Sequence, residues 1–402
     1  MVNLKKRTEA NEMKFFHTAD WHLGKLVQGI YMTEDQRYIL QQFLKAVDEE
    51  QPDAIIVAGD LYDRSLPPVD AVNLLNEIFE EIIIKRDIPL LAIAGNHDSP
   101  TRLQFGNKLM AKSGLHISGD FQETIKPVVL QDEFGEVHVH LIPFAEPSTV
   151  RDVLNQKEIS THDDAMKAIT EKLVGELSPN ARHIVVAHAF VTPYGEKQEN
   201  TSESERPLAI GGSECVDGSY FMPFHYTALG HLHRAHKVMD DKICYAGSPL
   251  KYSSSEAKHE KGFYIVELLE DGSITKEKRV LKPIRDLRIV EASLHELLRH
   301  EPSEDYVFVT LTDQTPVIGA MEQIRTVYKN AMHVSRKALP FEKTETAAHS
   351  TTERAQLSDT DLFTVFHQEM LGGEPTAEVI ALFEEVLQEL LLEEREQVEV
   401  RK

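Results

Sequence analysis

Five short stretches of the chain end an apolar run with side chains able to bind a metal ion: HTADWH (17–22), VAGDLYD (57–63), IAGNHD (93–98), VVAHAF (185–190) and ALGHLH (228–233). They supply Asp20, His22, Asp60, Asn96, His188, His231 and His233. In an extended segment residues i and i+2 share a side, so Asp20 with His22, and His231 with His233, are each expected to present two side chains to one crevice. These seven ligands are too many for one ion but suit two ions bridged by a carboxylate. Carboxylate and amide oxygens mixed with imidazole, without thiolate, suit Mn²⁺, with Fe²⁺ and Zn²⁺ as rivals. Asp20 and Asp60 would offset only part of the charge of two divalent ions, and the remainder would attract a phosphodiester.

A single histidine of this kind is ordinarily structural; it is the ordered set of five that points to a dimetal site. His17, His183, His225 and His236 lie near the motifs without their spacing and are set aside. Trp21, between two ligands, is expected to pack under its loop. Gly59, Gly95 and Gly230 leave room for close backbone approach.

Such motifs need elements that bring them together. KFF, DAIIVAGD, PLLAIAGN, HVHLIPF, HIVVAHAF and YTALGH read as buried strands, and EDQRYILQQFLKAVDEE and VDAVNLLNEIFEEIII carry helix periodicity. This is an α/β pattern with helices covering sheet faces, and open α/β sheets form ligand crevices at the carboxyl ends of their strands. Beyond Val280, DYVFVTLTD reads as a strand and PVIGAMEQIRTVYKNAM as a helix, enough for a small α+β domain. The clearest basic cluster is Lys276, Lys278, Arg279, Lys282, Arg285 and Arg288. Gly195 to Ser219 reads as a long loop. Residues 341–356 have linker composition, and two helix patterns separated by GGEPT predict a terminal hairpin.

The 402 residues carry a formal net charge of -23, which excludes a generally cationic surface that would coat nucleic acid or anionic lipid. Two cysteines, Cys215 and Cys244, without a CxxC pair, argue against a disulfide framework and for a reducing, cytoplasmic compartment. No apolar run approaches a membrane span, and Met1 to Glu12 reads as a disordered extension.

The motifs DWH, GDLYD, GNHD, a lone AH after a strand and GHLH, in this order, resemble the five signatures of calcineurin-like metallophosphoesterases. HTADWHLGK, SERPLAIGG, ALGHLHR and GSPLKYS further resemble the SbcD family, the nuclease subunits of bacterial SbcCD complexes, closely over residues 13 to about 270. The resemblance implies a two-sheet β sandwich flanked by helices over 13–280, a small α+β capping domain over 281–340 that contacts DNA, a linker over 341–356, and a helical hairpin over 357–402. It implies that Asp20, His22, Asp60 and His233 hold one metal and Asp60, Asn96, His188 and His231 the other, with Asp60 as bridge and Mn²⁺ as the ion. It also implies a catalytic role for His97, which Asp98 could orient. Asp63 departs from the pattern, standing where relatives carry a histidine, and is given no chemical role.

The activity so implied is that of a DNA exonuclease and hairpin- or end-cleaving endonuclease in repair and recombination. It would work as a homodimer through helices near Glu34 to Glu49 and Val69 to Ile84. The terminal hairpin would grip an SbcC-type coiled-coil ATPase, since the chain has no GxxxxGK[ST] of its own. The complex would be cytoplasmic and associated with the nucleoid when working. A phosphoesterase for a nucleotide or other small phosphodiester, and a non-catalytic metal-holding scaffold, are the rival readings.

Overall fold

The computed structural model describes residues 2–3, 12–195, 202–203, 205, 215–313, 315–337, 358–371 and 373–399. Its elements are, in chain order, β1 (Met13–Thr18), α1 (Thr33–Glu50), β2 (Ala54–Val57), α2 (Val69–Phe79), β3 (Leu90–Ile93), β4 (Leu115–Ser118), β5 (Val128–Asp132), β6 (Gly135–Ile142), α3 (Pro147–Leu154) and α4 (His162–Gly175). There follow β7 (Arg182–His188), β8 (Tyr226–Gly230), β9 (Ile243–Tyr245), β10 (Gly262–Leu268), β11 (Ile274–Val280), β12 (Leu287–Ala292), β13 (Ser303–Leu311), β14 (Tyr328–Arg336), α5 (Asp359–Leu371) and α6 (Ala377–Glu399).

One sheet runs β11-β10-β1-β2-β3-β4; the other has β5-β6-β7-β8-β9 at its centre, with Val2–Asn3 and His236–Lys237 at its edges. Within the first sheet β1, β2, β3 and β4 are mutually parallel, and in the second β6, β7, β8 and β9 are. Their runs lack polar alternation because both faces are covered. Phe15, Ile56 and Leu91 pack with Val139, Val186 and Ala228 between the sheets, whereas Phe16, Ile55 and Leu90 face outward onto Ile39, Phe43 and Leu74 of the helices. On the far side Val185, Leu229 and Tyr245 pack with Ala165 and Ile169 of α4. The expected helix stripes are therefore mostly core, although Val69, Val72 and Ile84 stay exposed. The sheet sandwich flanked by helices is the expected fold. His17 is a structural residue joining the two sheets, its ring between Tyr226 Oη at 2.9 Å and the Leu229 carbonyl at 3.2 Å.

Two compact units divide the described residues: the first comprises those of Met1–Val290, Glu296–Val309 and Gly319–Val334, the second those of Glu291–His295, Thr310–Ile318 and Ser335–Lys402. In the first, the start of the three-stranded sheet β12-β13-β14 is tied to the sandwich. Arg285 donates to both oxygens of buried Asp35 at 2.9 and 2.6 Å, and Tyr306 Oη donates to the same carboxylate at 2.7 Å. In the second, α5 and α6 form a hairpin in which Phe363 and Phe383 stack at 4.1 Å.

The helix expected over PVIGAMEQIRTVYKNAM shrinks to Ala320–Ile324, and Tyr328–Arg336 is a strand. Gly319, at φ 64°, breaks the helix before it starts, and the buried Tyr328, Ala331 and Met332 are worth more on a sheet face than in an isolated helix. Most of the basic cluster also has partners within the chain. Arg285 pairs with Asp35, Arg288 with Asp305 at 2.8 Å, Arg279 with Glu49, and Lys276 with Asp241 at 3.5 Å. Of the Gly195 to Ser219 loop, residues 196–201, 204 and 206–214 lie outside the described residues, as do most of the Met1 to Glu12 extension and the 341–356 linker.

Candidate metal centre

The five motifs follow β1, β2, β3, β7 and β8, the parallel strands of the two sheets, so one end of the sandwich receives them all. Asp20 and His22 do not use the alternation of an extended strand, as expected from their spacing. They stand in the left-handed region at φ 54° and 45°, as do Asp60 at 52° and, beyond the usual basin, His231 at 104°. Such conformations cost of order 1–3 kcal/mol each and persist only where the surroundings impose them. Here the loops are laced together: Asp20 N–H donates to the Gly59 carbonyl at 3.1 Å and His22 N–H to the Asp60 carbonyl at 2.9 Å. Gln36, on α1, accepts from Gly24 N–H and donates to the Trp21 and His22 carbonyls at 3.1 and 2.7 Å. Trp21 packs beneath, fully buried, edge-on to Phe43. Two glycines are required by crowding. A Cβ on Gly95 would lie 2.1 Å from Asp60 Oδ1, and one on Gly59 2.3 Å from His188 Nδ1.

Each carboxylate has one oxygen held by backbone and one left for an ion. Asp20 Oδ1 accepts from His231 N–H at 2.9 Å, while its Oδ2 is buried without a hydrogen-bond partner. Asp60 Oδ1 accepts from His97 N–H at 2.9 Å, while its Oδ2 lies 3.5 Å from His22 Nε2 and 3.5 Å from His188 Nε2. On one side of Asp60, His22 Nε2 faces His233 Nε2 at 3.0 Å, and Asp20, His22 and His233 bring one donor atom each within 4.8 Å of one another. On the other, Asp20, Asp60 and His188 do the same, and Asn96 Oδ1 lies 2.9 Å from His188 Nε2 and 3.3 Å from His231 Nδ1. All seven expected ligands thus converge. His188 Nδ1–H donates to the Ala58 carbonyl at 2.9 Å, which leaves Nε2 for an ion. An orphaned carboxylate oxygen among neutral imidazoles and an amide oxygen is a donor set that fits hard or borderline divalent cations.

The electrostatics show what an ion would replace. Burial pushes Asp20 up to about 7, though His188 and His233 oppose it. Burial alone would lower His188, but Asp60 beside it raises it to about 9. Burial holds His22 and His231 well below the ordinary range, hence neutral. The site without cations relies on protons for compensation, and cations would displace them.

His97 stands edge-on to His22, 4.7 Å between ring centres, and also comes within donor distance of His22 and Asp60. Its Nδ1–H donates to the Asp63 carbonyl at 2.8 Å. Asp98 faces elsewhere: its Oδ2 accepts from Leu61 and Gly95 N–H at 3.1 and 2.9 Å, and its Oδ1 from Tyr62 N–H at 2.9 Å. The carboxylate therefore staples two motif loops, and the Asp63 backbone, rather than Asp98, fixes the imidazole. Gln36, Glu205 and Glu256 also touch the ligand loops without any sequence motif to announce them. Glu205, in the long loop, accepts from His233 N–H at 2.7 Å.

The calcineurin-like phosphoesterase family model matches residues 13–235. A Type 5 capsule protein repressor C-terminal domain model matches residues 283–370. The SbcD nuclease of SbcCD from Staphylococcus saprophyticus is 35% identical over 385 residues, covering 95% of this chain and 99% of its own length. Its counterpart from Staphylococcus epidermidis is 35% identical over 342 residues, covering 84% and 88%. A solved dimetal phosphatase from Danio rerio is similar over 67% of this chain and 96% of its own at 11% identity, with a TM-score of 0.41. The chain belongs to the calcineurin-like phosphoesterases and, within them, to the family of SbcD nucleases. Family and site together define a phosphoester hydrolase that uses divalent metal ions. Among the described residues no helix is long and apolar enough to cross a membrane.

Proposed function

We propose that the chain is a Mn²⁺-dependent DNA nuclease subunit that cuts ends and hairpins together with an SbcC-type coiled-coil ATPase. The observation that carries this reading is Asp60 Oδ2, equidistant at 3.5 Å from a histidine of each ligand set, where a bridging carboxylate oxygen belongs. Asp20, His22, Asp60 and His233 would hold one ion, and Asp60, Asn96, His188 and His231 the other. When bound, two such ions supply positive charge to a phosphodiester and lower the pKa of water so that hydroxide forms at neutral pH. His97, with Nδ1–H engaged by Asp63, keeps Nε2 for proton exchange and as imidazolium would protonate the departing 3′ oxygen, leaving a 5′-phosphate. Asp98 is a positioning residue that keeps the Asp60 and Asn96 loops in register.

The relatives' name, that of the SbcCD nuclease, is the support for DNA as substrate and for an SbcC partner. Exposed Phe366, Leu382 and Val386 on the terminal hairpin support a partner docking there, and exposed Val69, Val72 and Ile84 support a homodimer through the α1 and α2 region. With the basic cluster largely paired, DNA contact by the 281–340 region rests on the family alone. The working compartment is the cytoplasm, at the nucleoid.

The test offers linear duplex, hairpin DNA and a small phosphodiester with Mn²⁺, with and without the ATPase. Cleavage of hairpin or duplex DNA is expected. Turnover of the small ester with no DNA cleavage under either condition would replace this reading with a small-substrate phosphoesterase.

A further inference from the structure

One ligand is gripped unlike the rest. His188 rests on a neutral carbonyl, Ala58, and the nearest carboxylate oxygen to His22 Nδ1 is Asp63 Oδ1 at 3.7 Å. His233 instead meets Glu256 Oε1 with its Nδ1 at 3.2 Å. Glu256 has no exposed surface, and its other oxygen pairs with Lys261, itself only 6% exposed. Lys261 Nζ in turn donates to the His233 carbonyl at 2.8 Å and to Ser248 Oγ at 2.8 Å. Ser253 Oγ and Tyr252 N–H donate to Glu256 Oε1 at 3.2 and 3.3 Å. A buried ion pair is thus wrapped around one residue, its carboxylate on the ring and its ammonium on the backbone.

Burying two charges costs several kcal/mol each before their attraction is counted, so such a pair is weak evidence for stability in its own right. A carboxylate on the far nitrogen of a ligand imidazole, by contrast, fixes the tautomer, orients the ring and makes the near nitrogen a better donor. With Nδ1–H turned to Glu256, His233 Nε2 carries its lone pair toward His22 Nε2, 3.0 Å away, and toward any ion those two share.

We propose that Glu256, held by Lys261, is the positioning residue that tunes His233 as a metal ligand, so that the ion position formed by Asp20, His22, Asp60 and His233 depends on it and the other position does not. This rests on the dimetal reading above. Neither residue lies in a recognisable motif; five positions apart across a serine-rich turn, they share no helix or strand period.

The test is Mn²⁺ titration of the full chain, followed by the electron paramagnetic resonance signal of free Mn²⁺, with melting of the metal-free protein as the check on folding. Glu256→Gln leaves Lys261 buried without its counter-charge, so Glu256→Gln/Lys261→Met, which removes both charges, is the deciding variant. The parental chain is expected to take up two ions. The double variant is expected to bind one with parental affinity and the other roughly 10–100-fold more weakly. Two ions at parental affinity in the double variant, or equal weakening of both, would overturn the role of Glu256 while leaving the dimetal site intact. Fewer than two ions in the parental chain would overturn the dimetal reading itself and this inference with it.

Discussion

β7 and β8 carry histidines at both ends, and the two ends have become different things. At the carboxyl ends His188 and His231 meet Asp20, Asp60 and Asn96. At the amino ends His183 Nδ1 lies 3.1 Å from His140 Nε2, His183 Nε2–H donates to the Ser178 carbonyl at 2.9 Å, and His183 N–H donates to His225 Nδ1 at 2.9 Å. The rings of His140, His183 and His225 stack in a row. Burial, with like-charged neighbours adding to it, depresses all three, His140 to about 4. At the other end the carboxylates reverse the sign, so that His188 rises despite deeper burial. Histidine density does not mark a metal site; carboxylate oxygens left without partners do. The same strands run through both ends, so the difference lies wholly in the loops that meet them.

The contrast can be broken most severely at its bridge. Asp60→Asn is expected to lower DNA cleavage on the order of 1000-fold, the loss of several kcal/mol of charge stabilisation, and to reduce bound Mn²⁺, measured by titration. His97→Asn should cut the rate by roughly 10²–10⁴-fold with both ions still bound; cleavage at the parental rate would remove His97 from the chemistry. The amino-end cluster should show itself in acid instead. A histidine depressed from 6.5 to about 4 on folding lets the unfolded chain take the proton first, so stability is whole above 6.5 and is lost as pH falls from there toward 4. His140→Leu should therefore narrow the difference in unfolding free energy between about pH 7.5 and pH 5 by about 2 kcal/mol, measured by denaturant titration of metal-free protein. The smallest effect belongs to His183→Gln, for which Mn²⁺ binding and cleavage should stay within about twofold of parental.

Much of this was readable from residue order. The apolar runs became buried strands because both sheet faces are covered, and seven ligands were named by type and by position after those runs. The strain was not readable: the spacing of Asp20 and His22 suggests a strand, yet tertiary bonds through Gly59, Asp60 and Gln36 hold both residues at positive φ. Nor was the partner of His97, because a backbone carbonyl such as that of Asp63 leaves no trace in side-chain identity. Glu256 and Lys261 escaped notice because a buried ion pair in a turn has no period. The helix expected over 316–332 failed where Gly319 interrupts it and a sheet face offers Tyr328 more burial.

The most direct test of the two-ended picture is anomalous diffraction from crystals grown with Mn²⁺. Two peaks per chain, sharing Asp60 and flanked by His22 with His233 on one side and His188 with His231 on the other, are expected, with none beside His140 and His183. A single peak, or one in the amino-end cluster, would contradict the account.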